Sequence, residues 1–298
     1  MRRPYRPRQY MRLVEDHRKK RPTAAIGVEG QLAGMAGEYK RVEGWPALQG
    51  FIHGFSTRRG GCSKPPYDSL NLGISCGDDQ GRVEQNRRHF FRTIGCLAAP
   101  LQTLKQIHSC EVILVRSGRV SADHTPHGDA LVTDQKNLLL GIFTADCYPI
   151  LLADPHQSVV AAVHAGWRGA AGGIVAHTVK VMKDSFGCRT ESLLALIGPG
   201  IGPCCYQVGQ NVYEAIVGTC PAAESWFLSD PRPVECYGPT WRLDLQTGLR
   251  VQLEESEIPG ERVLALGDCT MCRKDLYFSY RRDGKATGRM LSIIGLAG

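Results

Sequence analysis

Residues 138–164, LLLGIFTADCYPILLADPHQSVVAAVH, contain the clearest indication of the fold of this chain. The stretch holds three apolar runs of strand length, separated by the polar segments TADCY and DPHQ, and a fourth run, ALVT at 130–133, precedes it. The runs are almost continuously apolar instead of alternating, which is typical of strands buried on both faces. The pattern therefore predicts a layered α/β core.

Helical patterns lie outward from this stretch on both sides. Apolar residues recur at helical spacing over 83–95, 170–186 and 243–256. Further short strands are expected at 51–56, 193–197, 263–266, 276–280 and 290–294. We find no internal repeat and predict one α/β catalytic domain over residues 41–298, preceded by a basic, glycine-containing extension over residues 1–40.

Composition and charge exclude several classes of protein. Of 298 residues, 43% are hydrophobic and 22% charged, so the chain is neither wholly disordered nor fibrous. The net charge of +7 resides in residues 1–22, which hold nine Lys or Arg and two acids, whereas the other 276 residues hold 27 of each sign. Such a tail could bind nucleic acid. No specific nucleic-acid partner is expected, because no fold rich in base-stacking aromatics follows.

Targeting and redox state follow from what the sequence lacks. It has no apolar segment of a secretory signal and no run of eighteen apolar residues, so we expect a cytoplasmic protein without a membrane partner. Its twelve cysteines are then expected as reduced thiols. Cys269 and Cys272 form a C-x-x-C without a second pair, and the adjacent Cys204 and Cys205 would face opposite sides of a strand. A four-thiolate zinc site is not predicted.

Three other segments place metal-capable side chains at the ends of strands. They are KQIHS with His108, TADCYP with Cys147 and VHAGWRG with His164. Two imidazoles and one thiolate form the three-ligand set of a catalytic zinc, which keeps its fourth position open. One alternative is that each residue is an ordinary packed side chain. Another is a metal-free hydrolase in which Cys147 is the nucleophile and a histidine its base.

Two glycine-containing loops carry arginines suited to anions. Arg168 lies between Gly166 and Gly169, directly after a strand, and Arg58, Arg59 and Gly61 lie in the other loop. Glycines let backbone N–H groups approach a ligand closely, and guanidinium groups match phosphate oxygens. Both loops are expected to bind an anion, although Arg168 could instead pair with an acidic side chain.

Several long motifs resemble one known family. The strings TADCYPILLADP, VHAGWRG, IGPGIGPCCY and SYRRDG are similar to the multifunctional purine nucleoside phosphorylase family, formerly called polyphenol oxidases or laccase-domain proteins. The resemblance spans about residues 51–296. It implies a single-domain α/β/β/α sandwich with mixed sheets, likened to toxin-type cysteine hydrolases, and a zinc site at His108, Cys147 and His164.

The resemblance also implies activities. Family members are associated with phosphorolysis of adenosine, inosine and methylthioadenosine, and with adenosine deamination. Phosphate would then be clamped by Arg58, Arg59 and Arg168, and Asp146 or Asp129 could relay protons. The older oxidase label would require many imidazoles, commonly as H-x-H pairs, and the nine histidines contain none. Zinc is therefore expected, with a single copper ion as the lesser choice.

The sequence thus predicts a zinc-dependent purine nucleoside phosphorylase with adenosine deaminase activity, whose partners are a small nucleoside and phosphate. One alternative is a cysteine-type hydrolase that edits peptidoglycan precursors carrying L-serine, as in a bacterial branch of the family. A non-enzymatic scaffold with a nucleic-acid-binding tail is a further alternative. The oligomeric state is left open.

Overall fold

The apolar runs of the central stretch form strands that are buried along their whole length. The hairpin of residues 148–154 and 159–165 pairs Tyr148 with Ala165 and Asp154 with Val159, and all fourteen of its residues are buried. The computed structural model describes residues 32–33, 38–42, 45, 50–116, 125–230 and 240–298. The basic tail at residues 1–22 lies outside the described residues.

The elements are as follows in chain order. The strands are β1 (Leu32–Ala33), β2 (Tyr39–Val42), β3 (Phe51–Ser56), β4 (Leu101–Gln102), β5 (Val112–Val115), β6 (Ala130–Thr133), β7 (Leu138–Thr144), β8 (Tyr148–Asp154), β9 (Val159–Ala165), β10 (Leu194–Ile197), β11 (Gln207–Gly209), β12 (Phe227–Ser229), β13 (Thr240–Leu243), β14 (Val263–Ala265) and β15 (Met290–Leu296). The helices are α1 (Gln80–Thr93), α2 (Trp167–Ala171), α3 (Ile174–Phe186), α4 (Gln210–Thr219), α5 (Leu245–Glu255) and α6 (Tyr280–Asp283), with 3-10 turns at Thr190–Ser192, Pro221–Trp226 and Gly260–Arg262. Among the described residues, no helix is both long enough and apolar enough to cross a bilayer.

Two six-stranded sheets form the framework. The first has the order β1-β2-β3-β15-β7-β4, and the second β14-β10-β8-β9-β6-β5. Both are mixed, because β4 runs parallel to β7 and β5 runs parallel to β6 among otherwise mostly antiparallel neighbours. A small sheet, β11-β13-β12, is separate. Strands β1 and β2 extend the first sheet to residues before 41.

The sheets pack face to face and helices cover their outer faces. Phe55 and Ile142 of the first sheet share one apolar cluster with Leu151 and Val160 of the second. Helix α1 covers the first sheet through Phe90, and α3 and α5 cover the second. The predicted α/β sandwich with mixed sheets, layered α/β/β/α, is thus confirmed.

Two predicted elements differ from the structure. The helix expected over residues 170–186 is two helices, because Gly173 adopts a left-handed φ of +77° between α2 and α3. Residues 276–280 are not a strand, although Tyr277 and Phe278 are fully buried. The backbone N–H of Phe278 points to the sulfur of Met290, and Ser279 caps α6. A buried irregular segment can therefore have the same apolar sequence pattern as a short strand.

Candidate metal centre and active site

The three predicted ligands converge at one end of the sandwich. His164 lies near the end of β9, Cys147 lies in the connection between β7 and β8, and His108 follows β4. Their ligand atoms lie within 4.8 Å of one another, with Cys147 Sγ 3.8 Å from His108 Nε2. The pairing of Pro149 with His164 brings the first two ligands together. The predicted convergence is confirmed, and the group could hold a metal ion.

Asp129 forms hydrogen bonds with two of these residues, His164 and His108. Its fully buried carboxylate lies 2.8 Å from Nδ1 of His164 and accepts the backbone N–H of His108 at 3.0 Å. It also accepts the N–H of Ile107 and both the N–H and the hydroxyl of Ser109. These bonds hold the backbone of His108 at a φ of +59°, which residues other than glycine rarely adopt. A carboxylate behind a histidine orients its other ring nitrogen toward a metal.

Electrostatics favour a charged pair between Cys147 and His164. Burial raises the pKa of Cys147, but the charge of His164 and hydrogen bonds from both histidines outweigh it and lower that pKa to about 6. Burial lowers the pKa of His164, but Cys147 and Asp129 raise it to about 9. Despite its own burial, Asp129 has its pKa lowered to about 2 by hydrogen bonds from His164 and Ser109. The metal-free pair is therefore a thiolate beside an imidazolium.

Asp146 precedes Cys147 and has a different set of partners. One carboxylate oxygen accepts the hydroxyl of Thr270 at 2.6 Å, and the other accepts the backbone N–H of Arg281 at 2.6 Å. Its backbone φ of +96° is also unusual for a residue with a side chain. Asp146 thus ties the metal-capable turn to α6. A catalytic role for this residue stays a prediction.

A cavity of about 880 Å³ opens over the three metal-capable side chains. It combines positive charge with aromatic surface, as a pocket for an anion and a planar ring requires. Its cationic and aromatic lining residues are Arg87, Lys105, Phe143, Arg168, Tyr206, Tyr280, Arg281 and Arg289.

The second predicted anion loop does not reach this cavity. Arg58, Arg59 and Gly61 are not among the residues that line it. Arg58 pairs with Asp68 at 3.3 Å, and Arg59 pairs with Asp275 at 3.0 Å, so both guanidinium groups join neighbouring loops. A Cβ on Gly61 would lie about 2.2 Å from backbone of the adjoining loop, which explains glycine there by packing.

Arg168, by contrast, lines the cavity, together with other residues that were not predicted from the sequence. Its guanidinium lies 4.4 Å from the ring centre of Trp167. Arg281 lies 5.3 Å from the ring centre of Tyr206 and donates to the carbonyl of Gln207. The strings GPCCY and SYRRDG contained Tyr206 and Arg281, but nothing local in them indicates that they meet at one cavity.

The expectation that the side chains of Cys204 and Cys205 point in opposite directions is wrong, because both sulfur atoms lie near that of Cys272. The sulfur atoms of Cys204, Cys205, Cys269 and Cys272 also lie within 4.8 Å of one another. Cys204 and Cys205 lie in a turn before β11, not in a strand, so their side chains need not diverge. Alternation across a strand was the wrong model for this pair.

Gly166 provides a test of the three-residue centre. A Cβ at this position would lie 3.0 Å from Cys147 Sγ and 3.2 Å from a ring carbon of His108. We expect Gly166→Ala to weaken metal binding by about 10- to 100-fold, because crowding of this kind costs ~1–3 kcal/mol. Competition with a chromogenic chelator measures the loss. Gly218→Ala in α4, where a Cβ meets nothing within 4 Å, is the matched control; equal affinity in both variants would contradict the prediction.

Comparison with known proteins identifies the family. A family model described as multi-copper polyphenol oxidoreductase laccase matches residues 52–297. The chain is 37% identical over 270 residues to purine nucleoside phosphorylase YlmD of Geobacillus stearothermophilus, covering 86% of this chain and 96% of that protein. The chain belongs to this family. The resemblance inferred from the motifs is confirmed, and we refer to the YfiH/YlmD family below.

Other members of the YfiH/YlmD family agree in sequence and in fold. Purine nucleoside phosphorylase YfiH of Escherichia coli is 36% identical over 255 residues, covering 86% of this chain and 98% of that protein. The crystal structure of the Bacillus licheniformis hypothetical protein YfiH superposes with a TM-score of 0.80 at 33% identity, covering 89% of this chain and 98% of that one. The matched region contains all three metal-capable residues and the whole cavity lining.

Proposed function

We propose that this protein is a zinc-dependent purine nucleoside phosphorylase that acts on adenosine, inosine and methylthioadenosine and also deaminates adenosine. One observation carries the proposal: the His108, Cys147 and His164 group lies in the same cavity as several arginines and aromatic rings. The names of the relatives, purine nucleoside phosphorylases, independently support the phosphorylase part of the proposal. An enzyme is thus favoured over a scaffold with a nucleic-acid-binding tail.

The donor set fits zinc better than a copper cluster. Ligand atoms bound to zinc at 2.0–2.3 Å are about 3.3–3.8 Å apart in a tetrahedron, and Cys147 Sγ lies 3.8 Å from His108 Nε2. Among the described residues this is the only metal-capable group with a histidine, and it has two. A three-copper cluster needs many more. When bound, zinc supplies a Lewis acid that can polarise a substrate oxygen or lower the pKa of water.

The protein's own groups suit phosphorolysis. In this reaction a phosphate oxygen bonds to ribose C1′, the bond from C1′ to purine N9 breaks, and the departing purine takes up a proton. Arg168 and Arg281 are suited to holding the phosphate, because guanidinium groups bind its oxygens in pairs. Tyr206, whose pKa is raised by burial and by the charge of Cys147, keeps its proton and can donate a hydrogen bond to the substrate.

A turnover screen tests the proposal. Purified protein of known metal content is incubated with adenosine, inosine and methylthioadenosine, each with and without phosphate, and free base, ribose 1-phosphate and ammonia are measured. We expect the free base to be released only when phosphate is present. Of the three nucleosides, only adenosine should yield ammonia. Release without phosphate would indicate a hydrolase, and oxidation of a phenolic substrate by copper-loaded protein would favour the oxidase. No turnover of any nucleoside would contradict the proposal.

The phosphate site has its own test, since two arginine loops are candidates. Arg168→Gln is expected to raise the KM for phosphate by about 10- to 100-fold, because hydrogen bonds to a charged group contribute ~1.5–3 kcal/mol. Arg59→Gln is the comparison, since Arg59 pairs with Asp275 outside the cavity lining. Initial rates over a series of phosphate concentrations measure both. If only Arg59→Gln raises the KM, the loop of Arg58, Arg59 and Gly61 holds phosphate after all.

One observation favours a second candidate function. The thiolate of Cys147 beside the imidazolium of His164 is also the arrangement of a cysteine nucleophile and its base. The alternative is therefore a cysteine-type hydrolase that edits peptidoglycan precursors carrying L-serine. An L-serine muramoyl precursor added to the same screen tests it. Chelator-resistant cleavage of that precursor, without nucleoside turnover, would favour the alternative.

A further inference from the structure

A second group of sulfur atoms has no part in the function proposed above, and its residues are not among those that line the cavity, although their chain neighbour Tyr206 is. It contains Cys204, Cys205, Cys269 and Cys272, named the four-cysteine cluster below. Three of the four residues are half-buried, and Cys272 is exposed, so an ion could enter from solvent. The cluster joins two loops that are more than sixty residues apart in the chain.

The four cysteines are free thiols, and the spacing of their sulfur atoms fits one ion. Cys272 Sγ lies 3.5 Å from Cys204 Sγ and 3.3 Å from Cys205 Sγ. A disulfide requires about 2.05 Å. Four sulfurs bound to one zinc at about 2.3 Å would be ~3.8 Å apart, within the 4.8 Å that contains all four atoms. Only small shifts would place them on one tetrahedron.

Local backbone structure holds the two loops in this arrangement. Cys204 and Cys205 lie in a tight turn in which the N–H groups of Cys205 and Tyr206 both donate to the carbonyl of Gly202. The N–H of Gly202 points to Cys269 Sγ at 3.3 Å. A Cβ on Gly202 would lie 3.3–3.6 Å from atoms of Cys204 and Cys269, so a larger side chain would press on the cluster. A backbone N–H directed at sulfur is a common stabilising contact of metal thiolates.

Two arginines bind the backbone of the loops that carry the cluster. Arg242 donates to the carbonyl of Cys204, and Arg282 donates to the carbonyls of Thr270 and Met271, between the two cysteines of the C-x-x-C. Both guanidinium groups are also paired with carboxylates, Arg242 with Asp230 and Arg282 with Asp283, so their part is to fix the backbone that carries the cysteines. Soft thiolate ligands in a tetrahedral set select zinc, or iron, over hard cations.

We propose that Cys204, Cys205, Cys269 and Cys272 form a structural zinc site that binds one ion through four thiolates. A closed set of four protein ligands leaves no position for substrate, so this site acts through structure and not through chemistry. It is separate from the centre at His108, Cys147 and His164, since the two groups share no residue.

The consequence of the site lies in the wall of the cavity. Asp146 accepts hydrogen bonds from the hydroxyl of Thr270, within the C-x-x-C, and through its backbone carbonyl from Ile201, close to the paired cysteines. A zinc ion in the four-cysteine cluster would therefore hold together the two loops that position Asp146 and its neighbour Cys147. Tyr206 follows Cys205 directly and would be held at the cavity by the same ion.

Metal counting on the full-length chain, purified under reducing conditions, tests the proposal. We expect one zinc ion more per chain in wild-type protein than in Cys272→Ser, together with a lower melting temperature of the variant. Cobalt-substituted wild-type protein should show the strong sulfur-to-cobalt charge-transfer absorption of a tetrathiolate site, and Cys272→Ser should lose most of it. Cys62→Ser, which removes an exposed cysteine outside the cluster, is the matched control and should retain both.

A second variant separates this site from the catalytic centre. The Cys147→Ser variant should keep the tetrathiolate cobalt absorption, and its bound ion should protect the four cysteines of the cluster from alkylation. Both results are expected whether or not the protein is a phosphorylase. Equal zinc content in wild type and Cys272→Ser would overturn the proposal. A disulfide within the cluster, found in protein that was purified under reducing conditions and holds no metal, would also overturn it. Iron bound by the same thiolates would overturn the assignment of zinc.

Discussion

Replacing Cys147 with serine is expected to remove the metal ion from the cavity and to lower turnover by several powers of ten. Serine keeps a small polar side chain but is a poor zinc ligand, and only His108 and His164 would remain. Each power of ten corresponds to ~1.4 kcal/mol of transition-state stabilisation. Elemental analysis and kcat/KM for inosine, measured on the same preparation, check the result.

The control for this experiment is Cys220→Ser, a half-buried cysteine that belongs to neither metal-capable group. It should keep both metal and activity. Rate alone does not separate metal catalysis from thiol catalysis, because a lost nucleophile is equally damaging. Full activity of wild-type protein that is free of zinc and copper, and insensitive to chelators, would contradict the metal hypothesis and assign Cys147 as the nucleophile.

Asp129→Asn is expected to have the second large effect, on stability and on metal binding together. The substitution removes a fully buried charge that accepts bonds from three backbone N–H groups, a hydroxyl and His164. Breaking a buried charged pair costs ~3–5 kcal/mol, and losing the partner of a metal-binding histidine weakens metal binding about 10- to 100-fold. Urea unfolding and chelator competition measure the two effects.

The effect of Asp129→Asn on stability should depend on pH. In the folded protein the pKa of Asp129 is about 2, below its ordinary value of 3.8. Its contribution is therefore complete at neutral pH and is lost as the pH falls from about 4 toward 2. The exposed pair of Asp184 and Lys180 offers a control, since Asp184→Asn should cost under ~1 kcal/mol. Equal destabilisation by the two variants would contradict the prediction that the buried hydrogen bonds of Asp129 stabilise the fold more than an exposed ion pair does.

Some elements were predicted correctly because the apolar residues of a short segment indicate directly that the segment is buried. The runs around β7, β8 and β9 are apolar at nearly every position, and a strand can be so only when both of its faces are covered. Helix α5 could be predicted from the spacing of Leu245, Leu249 and Leu253, which are all buried. The metal-capable residues could be named because each stands in an unusual polar turn after such a run.

Other features depended on contacts between distant segments. Local sequence did not indicate that Arg281 meets Arg168 at one cavity, nor that Arg58 and Arg59 are engaged elsewhere. The role of Asp129 as the anchor of two ligands was likewise hidden, because its partners lie about twenty and thirty-five residues away.

The layered α/β class, the buried strands and the three metal-capable side chains could be inferred from the residues alone, because hydrophobic pattern and ligand chemistry are local properties. Which charged groups share the cavity, and that four cysteines form a second group, became evident from the folded chain. Those facts depend on strand register and on the paths of loops, such as the turn that brings Cys204 and Cys205 to Cys269 and Cys272. Register and loop paths result from packing of the whole chain, which no single segment encodes.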